Sequence, residues 1–302
     1  MFRKLSKKLF VCVLFAPCLL IGCRSTPESG ISENLIPPIP STLTIINDPV
    51  AQQKILLTFA KAYPGKIGGV EFIDGDWTML VNGTRFYFAN GRFLPEELRG
   101  QWQEYLPYDF YVYPWTGTDK QRQAAGNNPV YSIGSSFLFD ALYASLTEDD
   151  SWDWQEKYSF LGVKILIHPY IKPLLDRISD YILAAARADP LISEWIAELL
   201  TGQPGGWNWR FIAGTSRRSN HSYGTAIDLL PRDLKGRLTY WRWNKGNTKS
   251  NTIYYKPPAE VIKVFEEHGF VWGGKWDLID TMHFEYRPEI LLLNNFVLNG
   301  AL

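Results

Sequence analysis

The stretch SNHSYGTAIDLLP, residues 219–231, sets His221 and Asp228 seven positions apart with a glycine between them. Two readings are open for it alone: a strand with two incidental polar residues, or two ligands of one metal ion. Zinc ligands must bring nitrogen and oxygen atoms to about 2.0–2.2 Å from one ion. On a helix, seven residues rise roughly 10.5 Å, too far for two short side chains to share a metal. The chain must therefore bend between them, and Ser222-Tyr223-Gly224 is where it can. Beyond the bend, Ala226, Asp228 and Leu230 face one way along a strand, Ile227 and Leu229 the other. An aspartate in an otherwise apolar strand is costly unless it is paired or bound to a metal.

A third ligand decides between the two. WGGKWDLIDTMHFEYRP, residues 272–288, puts His283 at the start of a strand and Asp280 three residues earlier in the approaching loop. His283 and Glu285 share one strand face, Phe284 and Tyr286 the other. Two neutral imidazoles and one carboxylate leave Zn2+ with three protein ligands and an open position for water, the pattern of catalytic sites. Such an ion lowers the pKa of its water toward about 7 and polarises a carbonyl. A nearby carboxylate that is not a ligand can take the water's proton and pass it to a leaving amine, and Asp280 is spaced for that work. The two remaining histidines read as structural. His268 precedes the glycine that ends a helix, where its charge suits the helix dipole. His168 precedes a proline with no acid at ligand spacing.

The elements that must position these residues form a second half, residues 163–302. Helical periodicity in residues 171–189 (Leu174, Ile178, Tyr181, Ile182) and 191–200 is followed by β-like segments at 209–215, 224–230, 252–255 and 282–286, with one helix at 259–269. This order predicts an α+β domain: a small antiparallel sheet with flanking helices carrying the zinc site. Before it, residues 49–162 read as a mixed strand and helix region of unknown role. A helix over residues 52–63 leads into hairpins turned at Asn82-Gly83 and Asn90-Gly91, and residues 135–146 read as a further helix. That region offers no catalytic constellation, and Asp74, Asp76, Asp149 and Asp150 read as turn and cap residues.

The N-terminus reads as an address. Arg3, Lys4, Lys7 and Lys8 precede an apolar run, residues 9–20, too short to span a membrane comfortably. It ends in Leu20-Ile21-Gly22-Cys23, which resembles a bacterial lipobox, so residues 1–22 are expected to be a signal peptide and Cys23 the lipidated N-terminus. Residues 23–48 then form a tether. The three cysteines, Cys12, Cys18 and Cys23, all lie in or beside this address, which excludes thiol catalysis and cysteine-held zinc. The balance is 31 basic to 31 acidic residues, and losing the four leader cations leaves 27 basic. A nucleic-acid partner needs a basic face, and none is indicated.

Residues 219–231 followed by 272–285 resemble the zinc peptidases that include VanY-type D-alanyl-D-alanine carboxypeptidases and L-alanyl-D-glutamate endopeptidases. Their pattern is S-x-H-x-x-G-x-A-x-D, then an acid three residues before a final histidine. The resemblance, over roughly residues 208–287, implies that His221, Asp228 and His283 bind zinc and that Asp280 is the catalytic base. Asp280 stands where the carboxypeptidase branch usually carries glutamate, which looks more like the endopeptidase branch. The family also uses an arginine on the substrate or developing oxyanion. Arg210 is the candidate, with Arg217 and Arg218 behind it, and surface charge is the alternative for all three. The function implied is hydrolysis of an amide bond in peptidoglycan stem peptides. The alternatives are D-alanyl-D-alanine carboxypeptidase action and a non-catalytic peptidoglycan-binding lipoprotein. Lipid at Cys23 implies a membrane partner and a place in the bacterial cell envelope facing the periplasm, at the outer membrane because Arg24 is not the aspartate that retains lipoproteins inside.

Overall fold

Asp48 opens the first helix, α1 (Pro49–Ala62), by accepting the Val50 N–H, and Pro49 suits the first turn because its missing donor costs nothing there. The computed structural model describes residues 48–108, 110–115, 136–212, 215–243 and 253–298. The signal peptide and the tether up to residue 47, Cys23 included, lie outside them. After α1 come four strands, β1 (Ile67–Ile73), β2 (Asp76–Val81), β3 (Thr84–Ala89) and β4 (Arg92–Pro95), in an antiparallel meander of that order. Asp74-Gly75, Asn82-Gly83 and Asn90-Gly91 make its turns with positive φ at both central residues, the geometry that matches strand twist. Asp76 binds Arg99, and Asp150 closes a capping box with Thr147.

Two short helices follow, α2 (Phe137–Leu142) and α3 (Glu148–Asp153), then a hairpin of β5 (Glu156–Phe160) and β6 (Val163–Ile167). The next helices are α4 (Lys172–Ala185) and α5 (Pro190–Leu200). Leu174, Ile178 and Ile182 of α4 are buried at the expected spacing, but Tyr181 is exposed and donates to Glu260. A phenol at the edge of the apolar stripe keeps its hydroxyl in water.

The last third supplies a three-stranded sheet. β7 (Ala226–Asp228), β8 (Phe270–Trp272) and β9 (His283–Tyr286) pair antiparallel in the order β7-β9-β8, with α6 (Ala259–Glu267) before β8 and α7 (Pro288–Leu293) after β9. The described residues therefore mix helices with small antiparallel sheets, an α+β arrangement. Of the strands expected at 209–215 and 252–255, the described residues, 209–212, 215 and 253–255, form isolated bridges only, Phe211 to Arg218 and Leu238 to Tyr254. Arg210 gives its backbone bonds to the turn beside it, its N–H donating to Ser222 Oγ and its C=O accepting from the Ser219 N–H, in place of a ladder.

All described residues belong to one compact unit, residues 37–302. A single cluster of buried side chains runs from Ile55 and Phe59 in α1 through Phe86 and Phe88 to Phe265, Phe284 and Tyr286. No helix among the described residues is long and apolar enough to cross a membrane.

Candidate metal centre

The bend before β7 is a 3-10 turn, Asn220–Tyr223, entered at Ser219 and closed by Gly224 at φ 69°. A Cβ on Gly224 would lie 2.0 Å from Gln155 Oε1 and 2.7 Å from the His168 backbone nitrogen. Only glycine fits both the dihedral and the space. This tight turn points His221 back over β7. There the register sets Asp228 directly opposite His283 of β9, so the two side chains emerge side by side on one face of the sheet.

Three atoms converge as a result. His283 Nδ1 lies 3.0 Å from Asp228 Oδ1. His221 Nε2 lies 3.3 Å from the same oxygen and 3.2 Å from His283 Nδ1. Ligands about 2.0–2.1 Å from a tetrahedral zinc sit roughly 3.3 Å from one another, so this donor set fits the ion in spacing and in type. No other group of three or more His, Cys, Asp or Glu ligand atoms converges in this way among the described residues.

The outer contacts orient both rings. His221 Nδ1 meets the Gly206 carbonyl at 2.6 Å, and His283 Nε2 meets Glu285 Oε2 at 3.1 Å. With an ion at the centre, the nitrogens facing the Gly206 carbonyl and Glu285 would keep their hydrogens, which turns the lone pairs of His221 Nε2 and His283 Nδ1 toward it. Gly206 must be glycine for a packing reason, because a Cβ there would stand 2.3 Å from the Leu166 carbonyl oxygen. Glu285 Oε2 also accepts from Asn220 at 2.7 Å, so one carboxylate ties β9 to the His221 turn.

The charges respond to this crowding. Burial opposes the ionised form of Asp228, yet His221 and His283 hold its carboxyl well below the usual carboxylate range. Burial likewise opposes a charge on His283, but Asp228 and Glu285 lift it to about 10 when no metal competes. Burial also opposes ionisation of Glu285, and its contact with His283 outweighs that and brings it down to about 2.

Asp280 sits at the rim of this centre. Its N–H bonds to the Gly273 carbonyl at 3.0 Å, and its backbone bridges to Tyr240. Its Oδ1 is buried without a hydrogen-bond partner, and burial pushes the carboxyl up to about 6. Desolvation of this kind is how a carboxylate becomes a useful base near neutral pH. Arg210 is exposed, and its guanidinium is among the charges that pull Asp280 downward, so it lies within electrostatic reach of that carboxylate.

Arg218, by contrast, is turned inward. It binds Asp140 at 2.6 Å and lies 4.1 Å over the Trp209 ring, so the surface-charge alternative does not hold for it. Asp140, 78 positions away, is what draws it in. His168 caps the turn Pro169–Ile171 by accepting the Tyr170 N–H, and His268 ends α6 with Nδ1 on the Val264 carbonyl. Sequence reasoning missed Gly206, Asn220 and Glu285 as supports. Only the i, i+2 spacing of His283 and Glu285 signalled one of them.

Residues 213–286 match a family model described as D-alanyl-D-alanine carboxypeptidase. The match spans His221, Asp228, Asp280 and His283 and supports a peptidase of that family. Residues 55–110 match a model described as a domain of unknown function. No curated protein and no solved structure matches the chain.

Proposed function

We propose that this chain is a zinc-dependent peptidase that hydrolyses an amide bond in peptidoglycan stem peptides, with L-alanyl-D-glutamate endopeptidase action preferred. The observation that carries the reading is the convergence of three ligand atoms beside a carboxylate whose Oδ1 is buried without a hydrogen-bond partner, inside a segment that matches a carboxypeptidase model. His221 Nε2, Asp228 Oδ1 and His283 Nδ1 hold the ion. The chemistry zinc supplies at such a site is that of a Lewis acid, acidifying water and polarising a carbonyl. Asp280 Oδ1 accepts the proton of the attacking water and delivers it to the leaving amine. Arg210 offers a cation to a substrate carboxylate or to the developing oxyanion.

Asp280 in place of glutamate supports the endopeptidase branch, while the description of the matching model favours D-alanyl-D-alanine carboxypeptidase action as the second reading. Isolated peptidoglycan incubated with the zinc-loaded full chain separates them by mass spectrometry. New L-alanine carboxyl ends and D-glutamate amino ends are expected. Release of terminal D-alanine alone would establish the carboxypeptidase instead, and no product from a zinc-loaded chain would leave a binding module.

In this reading the enzyme is tethered to the envelope through lipid on Cys23 and faces the periplasm, at the outer membrane. A polymer too large to diffuse is best met by an anchored enzyme. Cys23→Ser is expected to move the protein from the membrane to the soluble fraction of cells. Unchanged fractionation would sink the anchor.

A further inference from the structure

We propose that Glu285, Arg287 and Glu289 form a buried positioning chain through which residues 55–110, the segment matching a domain of unknown function, hold the ligand His283 in place. The inference rests on the zinc reading of the site. The two oxygens of Glu285 face different partners. Oε2 meets His283 Nε2 and Asn220, while Oε1 faces Arg287 Nη1 at 3.4 Å. The Arg287 fork then spreads outward, Nε to Glu289 Oε1 and Nη2 to the Tyr108 hydroxyl at 2.8 Å. Tyr108 donates to Glu289 Oε1 at 2.8 Å, and Tyr63 donates to Glu289 Oε2 at 2.6 Å. Glu289 is wholly buried, and the Arg287 guanidinium also lies 5.2 Å over the Phe139 ring.

Cohesion alone does not account for this arrangement. Two buried carboxylates around one guanidinium carry a desolvation cost that their attraction barely offsets, and an apolar cluster of the same volume would join the parts as well or better. Tyr63 already packs its ring edge-on against Tyr286 and stacks with Phe59, which meets Phe93 and Tyr108 edge-on. What the charges add is direction. Glu285 is held at both oxygens, Oε2 by His283 and Asn220 and Oε1 by Arg287, and the two-ended grip sets its plane. The plane of Glu285 fixes the ring and tautomer of His283, a class of outer contact whose loss typically costs about 10–100-fold in metal affinity. The anchoring hydroxyls come from 226 and 181 positions earlier in the chain. Residues 55–110 would thus be part of the metal centre's support.

The test is zinc affinity by chelator competition on the full chain, with thermal unfolding measured alongside. Glu289→Gln is expected to weaken zinc binding by about 10–100-fold, and Tyr108→Phe by roughly three- to tenfold. The control Met79→Ala truncates a buried side chain of β2 that is outside the chain of charges, and it is expected to lower the melting temperature with zinc affinity unchanged. If Glu289→Gln does not fold, Tyr108→Phe decides. Parental zinc affinity in the charge-chain variants overturns the proposal, as does an equal loss in Met79→Ala, which would mean stability alone is at stake. A parent chain that binds no zinc would overturn the zinc reading itself, a failure distinct from either.

Discussion

An Asp280→Asn chain is expected to bind zinc as tightly as its parent while its kcat falls by about 10²–10⁴-fold. The substitution keeps size and polarity and removes only the ability to take a proton. Asp280 is not one of the three converging ligands, so the ion should stay. The pH profile supplies an independent readout. Burial lifts the carboxyl to about 6, and the base must be ionised to act, so activity is lost as pH falls through that value. A divalent cation at the three ligands would replace the pull of a protonated imidazole with that of a larger charge, which puts the acid limb of kcat/KM at or below about pH 6. Stability moves the other way. A carboxyl whose folded pKa is raised costs stability once pH exceeds its unfolded value, so the asparagine chain in chelator should be more stable than the parent at neutral pH. Lost turnover with a gain in stability is the pattern of a group held in place for chemistry. Unchanged kcat would remove Asp280 from the mechanism and favour the binding-module reading.

The sequence carried the parts of this site that are local. His221 and Asp228 flank a glycine whose turn can be inferred from spacing, and His283 with Asp280 falls within one short run. The Asn-Gly hairpins were legible because their turn chemistry is contained in two residues. The β5–β6 hairpin was not, since its turn uses Leu161 and Gly162 at φ 48° and 90°, and leucine gives no signal for a left-handed position. β8 is three residues long, too short for alternation to declare itself. The supports of the site were hidden for another reason. Gly206, Asn220, Tyr63 and Tyr108 have ordinary neighbours in sequence, and their roles exist only across separations of tens to hundreds of residues. On charge alone the run Glu285, Arg287, Glu289 has the pattern of a solvated face, yet each of the three is buried.

Replacing His283 by alanine is expected to lower zinc affinity by about 10²–10³-fold and to remove measurable turnover, since three ligands must share a total of roughly 10 kcal/mol or more. The metal-free parent should reveal the same residue through protons. Although burial opposes its charge, His283 between Asp228 and Glu285 is raised to about 10, so at neutral pH it holds a proton that zinc must displace. The stability this proton contributes without metal is fully present below the unfolded pKa of about 6.5 and is lost as pH rises through about 10. Asp228 works in the opposite sense, its contribution being lost only in strong acid. Zinc affinity should therefore tighten about tenfold per pH unit between roughly pH 7 and 9, with about one proton released per ion bound. Calorimetry at about pH 7.5 in buffers of different ionisation heat reads that proton directly. In the His283→Ala chain the share of the release and of the slope that belongs to this imidazole proton should be lost. A parent chain that binds zinc without releasing a proton would show that His283 is already neutral, and that the paired carboxylates do not govern the site.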